Sequence, residues 1–143
     1  MIDVEKIKPQ EIMKKDKIIE ARNRTYDTYR RFARKISEFD SAVLKVEIHY
    51  EMRFLTGICS IPPLIDDVIL NSDDKLFWYH KCLNRDCTGS GFYLTDEISE
   101  AIKSHKVVKG EKYCDGKEDW KYLDASGCSC ETTLLYEIRP VFK

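Results

Sequence analysis

The clearest pattern in the chain is the alternation of apolar and polar side chains in residues 42–54. Every even position from Ala42 to Phe54 is apolar, whereas the odd positions from Lys45 to Arg53 are charged or histidine. Successive side chains of a strand point to opposite faces, so the alternation predicts a long strand with one buried and one solvated face. Because it exceeds the length of an average strand, we expect it to bend or to run along a sheet edge.

A second pattern, with the period of a helix, precedes this strand. From Asp16 to Phe39 apolar residues recur three and four positions apart without glycine or proline, which predicts an amphipathic helix. Its apolar stripe consists of Ile18, Tyr29, Phe32, Ala33, Ile36 and Phe39. The opposite side mixes basic and acidic residues, with the favourable i,i+4 pairs Glu20–Arg24 and Asp27–Arg31.

Shorter elements are predicted after residue 54. Strands are expected at 76–82, 107–114 and 132–142, and the apolar segment 64–70 is of uncertain type. Thr95 is expected to cap a short helix whose apolar face consists of Ile98, Ala101 and Ile102.

These elements predict an α+β fold in a single domain, residues 1–143. Residues 1–40 are expected to form a leader with Pro9 and then the long helix. Residues 41–143 are expected to form an antiparallel sheet of about four strands, on which that helix packs. Regular strand–helix–strand units are missing, which argues against a parallel sheet.

Five of the six cysteines lie in the C-terminal half, in three groups. Each group stands at the end of a predicted strand or in the polar loop beside it, so antiparallel pairing can bring the groups together at one sheet edge. Four thiolates complete a closed tetrahedral zinc site, and thiolates suit zinc better than Mg²⁺ or Ca²⁺. We therefore expect a structural zinc held by Cys82, Cys87, Cys114 and either Cys130 or Cys128.

Between the last two candidates, Cys130 is favoured because it shares strand parity with the apolar residues Leu134, Tyr136 and Ile138. His80 could replace one cysteine, although a histidine on a strand is more often a packed side chain. Cys59 stands apart in an apolar segment.

The cysteine arrangement resembles zinc-ribbon and zinc-knuckle modules, in which paired cysteines lie on loops between short antiparallel strands. The resemblance covers residues 82–130 and implies a structural metal. Zinc ribbons usually carry two C-x2-C pairs, whereas this chain has C-x4-C at Cys82–Cys87 and C-x-C at Cys128–Cys130.

Other uses of the cysteines stay open, namely disulfides, unlinked thiols or a redox pair at Cys128–Cys130. Glu131 and Asp124 beside that pair would raise its pKa, which argues against redox chemistry. A catalytic zinc needs an open coordination position and a general base, and the His-x-Glu and His-Glu-x-x-His signatures are absent. The charged row of the long strand is typical of a solvated sheet face. We therefore expect no enzyme activity.

Charge is unevenly distributed along the chain. Residues 1–35 hold 11 Lys/Arg and 6 Asp/Glu, whereas residues 36–143 hold 13 and 19. The basic helix could contact a nucleic-acid backbone through Arg24, Arg31, Arg34 and Lys35. The acids interleaved with them equally fit a solvated helix face with internal ion pairs.

The expected function is therefore binding. The polar start is unlike a signal peptide, and no apolar run could span a bilayer. We therefore expect a cytoplasmic protein that is not in the membrane. In the reducing cytoplasm, grouped cysteines are usually metal ligands. The first hypothesis is a protein-interaction or adaptor module with structural zinc and exposed aromatic residues near Trp78, Trp120 or Tyr122. The alternative is a zinc-containing nucleic-acid-binding protein that uses the basic helix. A homodimer formed through the helix is a further option.

Overall fold

The structure is a computed structural model that describes residues 4–54, 62–82, 91–114, 117–118, 128–129 and 132–143. Within these ranges the chain forms three helices and eight strands. The helices are α1 (Val4–Phe32), α2 (Ile36–Phe39) and α3 (Thr95–Ser104). The strands are β1 (Val43–Phe54), β2 (Leu64–Asn71), β3 (Tyr79–His80), β4 (Phe92–Tyr93), β5 (Val108–Tyr113), β6 (Lys117–Glu118), β7 (Cys128–Ser129) and β8 (Thr132–Phe142).

The centre of the fold is an antiparallel sheet, in which the described strands have the order β2-β1-β8-β5. β1 pairs along most of its length with β2 on one side and β8 on the other, and β5 pairs with the far side of β8. The prediction of an α+β fold with a four-stranded antiparallel sheet is confirmed, but one of its strands differs. The sheet contains β2 instead of the predicted strand 76–82, in which Tyr79–His80 forms a strand of a separate ribbon. Two short ribbons, β3–β4 and β6–β7, accompany this sheet.

One face of the sheet carries the core. Its central cross-strand row is Val68–Ile48–Ile138–Val108, and a second row, beyond the pair Tyr50–Tyr136, is Leu64–Met52–Leu134–Lys112. Helix α3 covers this face with Ile98, Ala101 and Ile102, which are all buried, as predicted from their spacing. Removal of these apolar surfaces from water is the main force that holds α3 on the sheet.

The alternation in β1 holds from Val46 to Met52 and changes at Leu44. Val43 lies opposite Phe142 and Lys45 lies opposite Val141, so Leu44 is one extra residue in β1. This β-bulge reverses the parity of the strand. Val43 is consequently fully buried and Leu44 is 48% exposed, opposite to the prediction from even and odd positions.

Helix α1 begins earlier than predicted. It starts at Val4, before the predicted start at Asp16, and continues through Pro9. Proline removes one backbone donor from a helix, but Pro9 is followed directly by residues with high helix propensity, from Gln10 to Lys15.

Helix α1 also ends earlier than predicted, because residues 74–76 form hydrogen bonds with the backbone of residues 34 and 36. The Leu76 N–H donates to the Arg34 carbonyl over 2.8 Å, and the Ile36 N–H donates to the Asp74 carbonyl over 2.9 Å. Lys75 Nζ donates to two carbonyls of the last turn of α1. These bonds satisfy groups that a helix end leaves open, and they separate α1 from α2.

The helix that covers the sheet is α3 rather than α1, which corrects the expected packing of the long helix on the sheet. The stripe of α1 stays partly open to solvent, with Phe32 75%, Tyr29 50% and Ile18 40% exposed. The expected cap of α3 is wrong too. Its N-cap position is Leu94, and Thr95 Oγ1 instead accepts a hydrogen bond from the Trp78 N–H over 3.1 Å.

Candidate functional site

Two of the predicted zinc ligands, Cys82 and Cys114, meet at Thr132. The Cys82 thiol donates to Thr132 Oγ1 over 3.2 Å. The Cys114 backbone N–H donates to the Thr132 carbonyl over 3.0 Å. Both cysteine side chains are buried, and Thr132 is fully buried at the start of β8. Cysteines from two separate groups of the sequence therefore contact one residue.

Different elements deliver the two cysteines. Cys114 directly follows β5, and the pairing of Tyr113 with Thr133 brings it to the start of β8. Cys82 follows β3, which is paired with β4. A hydrogen bond of 3.1 Å from the Leu94 N–H to the Trp78 carbonyl joins this ribbon to the start of α3. The position of Cys82 thus depends on the ribbon, and that of Cys114 depends on the sheet.

Tyr79 completes what we call the cysteine cluster, defined as Tyr79, Cys82, Cys114 and Thr132. Burial raises the pKa of Tyr79 to about 12, Arg22 opposes this rise, and the charges of the two cysteines add to it. The Tyr79 hydroxyl is buried and has no hydrogen-bond partner in the part of the chain that the structure describes. The cluster is therefore a buried polar region with a cationic side chain beside it.

The other predicted ligands are less completely placed. Cys87 and Cys130 lie outside the described residues, and Cys128 appears as the first residue of β7, opposite Glu118 of β6. In the described ranges, no three histidine, cysteine or acidic side chains form a group that could hold a metal ion. His80, the possible substitute ligand, donates from Nδ1 to the Lys81 carbonyl over 2.6 Å, and its ring stacks on Trp78.

The chemistry of the cluster suits a soft, thiophilic metal. Buried thiolates need a cation or hydrogen bonds, because an uncompensated charge is costly away from water. The Thr132 hydroxyl can reverse its hydrogen bond and donate to a thiolate at Cys82, as outer contacts of metal ligands commonly do. Sulfur donors fit zinc and do not fit Mg²⁺ or Ca²⁺.

The basic residues of the predicted nucleic-acid surface are all exposed. Neither predicted i,i+4 pair of α1 forms among the described residues, since Asp27 binds Arg30 instead of Arg31. Arg34 lies 3.5 Å from Glu38, and its guanidinium lies over the Phe39 ring. Lys35 contributes its backbone to a bridge with Lys75. Arg24 and Arg31 thus have no carboxylate partner within the described ranges.

A groove with aromatic walls lies between the end of α1, α2 and the start of α3. This aromatic groove, with a volume of about 400 Å³, is lined mainly by Tyr29, Phe32, Phe39, Leu76 and Tyr93. Tyr29 and Phe32 belong to the predicted apolar stripe of α1, which was expected to be buried, so the groove was not predicted. The signal that could have revealed it is the gap in that stripe, where Ala21, Arg22 and Thr25 occupy the positions of the stripe between Ile18 and Tyr29.

The adaptor hypothesis expected exposed aromatic residues near Trp78, Trp120 or Tyr122, and of these three the structure describes only Trp78. Trp78 is buried and packs edge-on against Tyr50, with 5.1 Å between ring centroids. Trp120 and Tyr122 lie outside the described residues. The aromatic groove takes their place as the exposed aromatic surface of the described part of the chain.

The outer face of the sheet carries the charged row of β1. His49 Nδ1 lies 2.6 Å from Asp67 Oδ1, and both side chains are more than half exposed. Glu137, the partner of His49 on β8, is bound by Arg139 over 3.2 Å. Exposed ion pairs of this kind are typical of a solvated sheet face and contribute little to stability.

Within the described ranges, no helix has both the length and the apolar character required to cross a bilayer. A scan against protein-family models, a search of curated protein sequences and a search of solved structures each found no match to this chain.

Proposed function

We propose that this protein is a protein-interaction module whose cysteine-rich half is stabilised by a structural zinc. The observation that carries the proposal is the aromatic groove, in which Phe32 is 75% exposed and Tyr29 is 50% exposed. Large apolar side chains grouped in a groove are unfavourable in water and are typical of interaction sites. Buried aromatic residues also dominate the affinity of many interfaces.

Zinc contributes to this function through the fold. Cys82 and Cys114 would supply two ligands, and Cys87 with Cys130 or Cys128 would supply the others. Four thiolates make a closed site, so the metal would fix the loops of residues 82–130 to the start of β8. Cysteines that serve as metal ligands also fit a reducing, cytoplasmic setting.

The partner that fits the groove is an acidic protein segment that presents a bulky apolar side chain. Arg34 and Asp96 both line the groove. Arg34 already lies 3.5 Å from Glu38, so the positive charge available to a partner is that of Arg24 and Arg31. Arg24 and Arg31 lie within one turn of Thr28, another lining residue, and neither has a carboxylate partner among the described residues. Carboxylates of a partner would complement them. The α1 helix of a second copy is basic itself and would not, so a partner with acidic groups is favoured over a homodimer formed through α1.

Phe32 gives the direct test of the groove. A photo-crosslinking amino acid at position 32 should couple to a protein in the cells that naturally make this chain. Once that partner is purified, Phe32→Ser should weaken its binding at least about tenfold, because truncation of a central aromatic anchor commonly costs about 2 kcal/mol or more. Isothermal titration calorimetry would measure the loss, and the crosslinked segment should contain acidic residues.

Tyr113 provides the matched control, since it is aromatic and 67% exposed but lies on β5, away from the groove. The same crosslinker at position 113 should not couple to the partner, and Tyr113→Ser should leave its affinity unchanged. Equal effects at both positions, or coupling at position 32 only to another copy of this chain, would rule out the proposed surface.

Nucleic-acid binding is the second candidate, supported by Arg24 and Arg31, exposed basic residues of α1 that have no ion pair with any residue in the described ranges. Reversal of charge at Arg24, Arg31 and Arg34 should then abolish binding of short RNA or DNA duplexes in an anisotropy assay. Wild-type binding should weaken steeply with salt, with a slope of about −0.9 for each phosphate contact to duplex DNA. Phe32→Ser should have little effect there, which separates the two candidates. No binding at low salt would exclude this function.

A further inference from the structure

Helix α1 reaches the cysteine cluster through two tyrosines. The ring of Tyr26 stacks on the ring of Tyr79, with 3.8 Å between centroids and 17° between planes. Tyr26 also packs at 5.6 Å from the ring of Tyr93, the residue opposite Tyr79 in the β3–β4 ribbon. Aromatic pairs of this geometry stabilise a contact beyond the area that they bury. The middle of α1 is thus docked on the ribbon.

Tyr79 joins this contact to the thiols. It belongs to β3, and the chain continues from β3 directly to Cys82. Cys82 contacts the Thr132 side chain, and the Thr132 carbonyl contacts Cys114. Tyr26 is therefore connected to the two cysteines by its stack on Tyr79, by the short chain segment from Tyr79 to Cys82, and by the hydrogen bonds of Cys82 and Cys114 to Thr132.

The space around Tyr79 is tightly filled, so its position is well defined. A Cβ atom added at Gly91 would lie 2.6 Å from the Tyr79 hydroxyl oxygen and 2.9 Å from the His80 carbonyl oxygen. Gly91 also has a φ of +75°, which favours glycine at this position. The Tyr79 ring is therefore enclosed on one side by Gly91 and on the other by the stacked ring of Tyr26.

Arg22 adds a charge to the same side of the cluster. It lies one helical turn before Tyr26 and is half-buried, with its Nε atom shielded from solvent, and its charge opposes the rise in the pKa of Tyr79. A zinc ion bound by four thiolates carries a net negative charge. A guanidinium near such a site offsets that charge and is easier to bury than an ammonium group.

We infer that Tyr26 and Arg22 are positioning residues of the cysteine site, so that helix α1 forms its outer wall and metal binding is linked to helix docking. This inference rests on the proposed zinc. Linkage is reciprocal: if zinc favours the docked helix, the docked helix must raise zinc affinity by the same factor. The N-terminal helix would then hold its basic and aromatic surfaces in place only when the metal is bound.

The test measures zinc affinity of the full chain by competition with a chelating indicator. Tyr26→Ala should weaken zinc binding about tenfold, within the usual range of coupling between two sites. Tyr26→Phe keeps the stack and should retain wild-type affinity. Phe32→Ala, which removes a largely exposed ring from the same helix, is the control and should change the affinity less than twofold. Arg22→Gln should weaken binding, and Arg22→Lys should restore part of it.

Hydrogen exchange gives the reciprocal measurement. Removal of zinc from the wild type should speed amide exchange in residues 22–29, and Tyr26→Ala should show that fast exchange even with zinc bound. Unchanged zinc affinity in Tyr26→Ala, together with exchange in residues 22–29 that ignores the metal, would overturn the linkage while leaving the zinc proposal intact. A wild-type protein that contains no zinc would rule out both the zinc proposal and the linkage, and elemental analysis would show this before any variant is made.

Discussion

Purified wild-type protein is expected to contain about one zinc per chain, and Cys82→Ser or Cys114→Ser should lose it. Both cysteines are buried at Thr132, and the remaining ligands are expected from Cys87 and from Cys130 or Cys128. Loss of one of four ligands should lower the affinity more than the 10- to 100-fold typical of changes around a metal site. Elemental analysis and a competition assay with a zinc indicator measure both quantities.

The stability effect of this change should be large. Structural zinc in small modules contributes about 10–16 kcal/mol of binding free energy at neutral pH, and that energy is coupled to folding. A chelator should therefore unfold or loosen residues 82–130 while much of α1 keeps its helical circular dichroism. Thermal melting with and without chelator would show the effect, and either cysteine variant should melt like the chelated wild type.

Cys59→Ser is the matched control, because Cys59 stands apart from the clustered cysteines in the sequence and is not a proposed ligand. It should bind zinc with wild-type affinity. Metal-free protein in which the thiols all react with a thiol reagent would refute the zinc site. A protein whose mass is lower than that of the reduced chain by two hydrogen atoms per cysteine pair would instead establish disulfides.

The β-sheet could be predicted from the sequence because the alternation of apolar and polar side chains is a local pattern. A strand with one buried face must alternate, so β1 and the apolar parity of Leu134 and Ile138 could be recognised from side-chain order alone. The bulge at Leu44 could not be recognised. Its position is set by how β1 matches β8, and Val43, Leu44 and Lys45 contain no glycine or proline that would mark an irregularity.

The packing of helix α1 was harder to predict, because the helical pattern does not show which surface the helix contacts. The apolar stripes of α1 and α3 could each have covered the same face of the sheet. The short run of Ile98, Ala101 and Ile102 is continuous, whereas the stripe of α1 is interrupted for more than two turns after Ile18. In the structure the continuous stripe of α3 is buried on the sheet, whereas Ile18, Tyr29 and Phe32 of α1 stay 40–75% exposed. The break between α1 and α2 depends on hydrogen bonds from residues 74–76, which no local pattern reveals.

The meeting of Cys82 and Cys114 follows from the idea that strand ends converge at one place. Cys114 is placed by the pairing of β5 with β8, which the strand pattern implied. The contribution of α1 to this site was not apparent. Tyr26 lies beside the apolar stripe rather than in it, so periodicity gives no reason to pair it with Tyr79. The stack exists because the β3–β4 ribbon, rather than the sheet, is the surface that the middle of α1 contacts.

Ile138→Ala is expected to destabilise the folded protein by about 2–5 kcal/mol, the usual range for truncation of a buried isoleucine to alanine. Ile138 is fully buried in the central row of the core, between Ile48 on β1 and Val108 on β5. Its removal leaves a cavity bounded by paired strands and α3, which cannot collapse without breaking the sheet register. Urea unfolding of zinc-saturated protein, followed by circular dichroism, measures the change in the free energy of unfolding. The dependence of that free energy on urea concentration should be the same in the variant and the wild type.

Leu135→Ala is the control for this prediction. Leu135 lies three residues earlier on the same strand but points to the outer face, where its strand partners are Glu51 and Glu111 and it is only partly buried. Truncation there removes fewer contacts and leaves no closed cavity, so the loss should stay near 1 kcal/mol, as is usual for partly exposed positions. A loss at Leu135 as large as that at Ile138 would mean that something covers the outer face of the sheet in solution. A small loss at both positions would mean that the register of β8 differs from Ile48–Ile138–Val108.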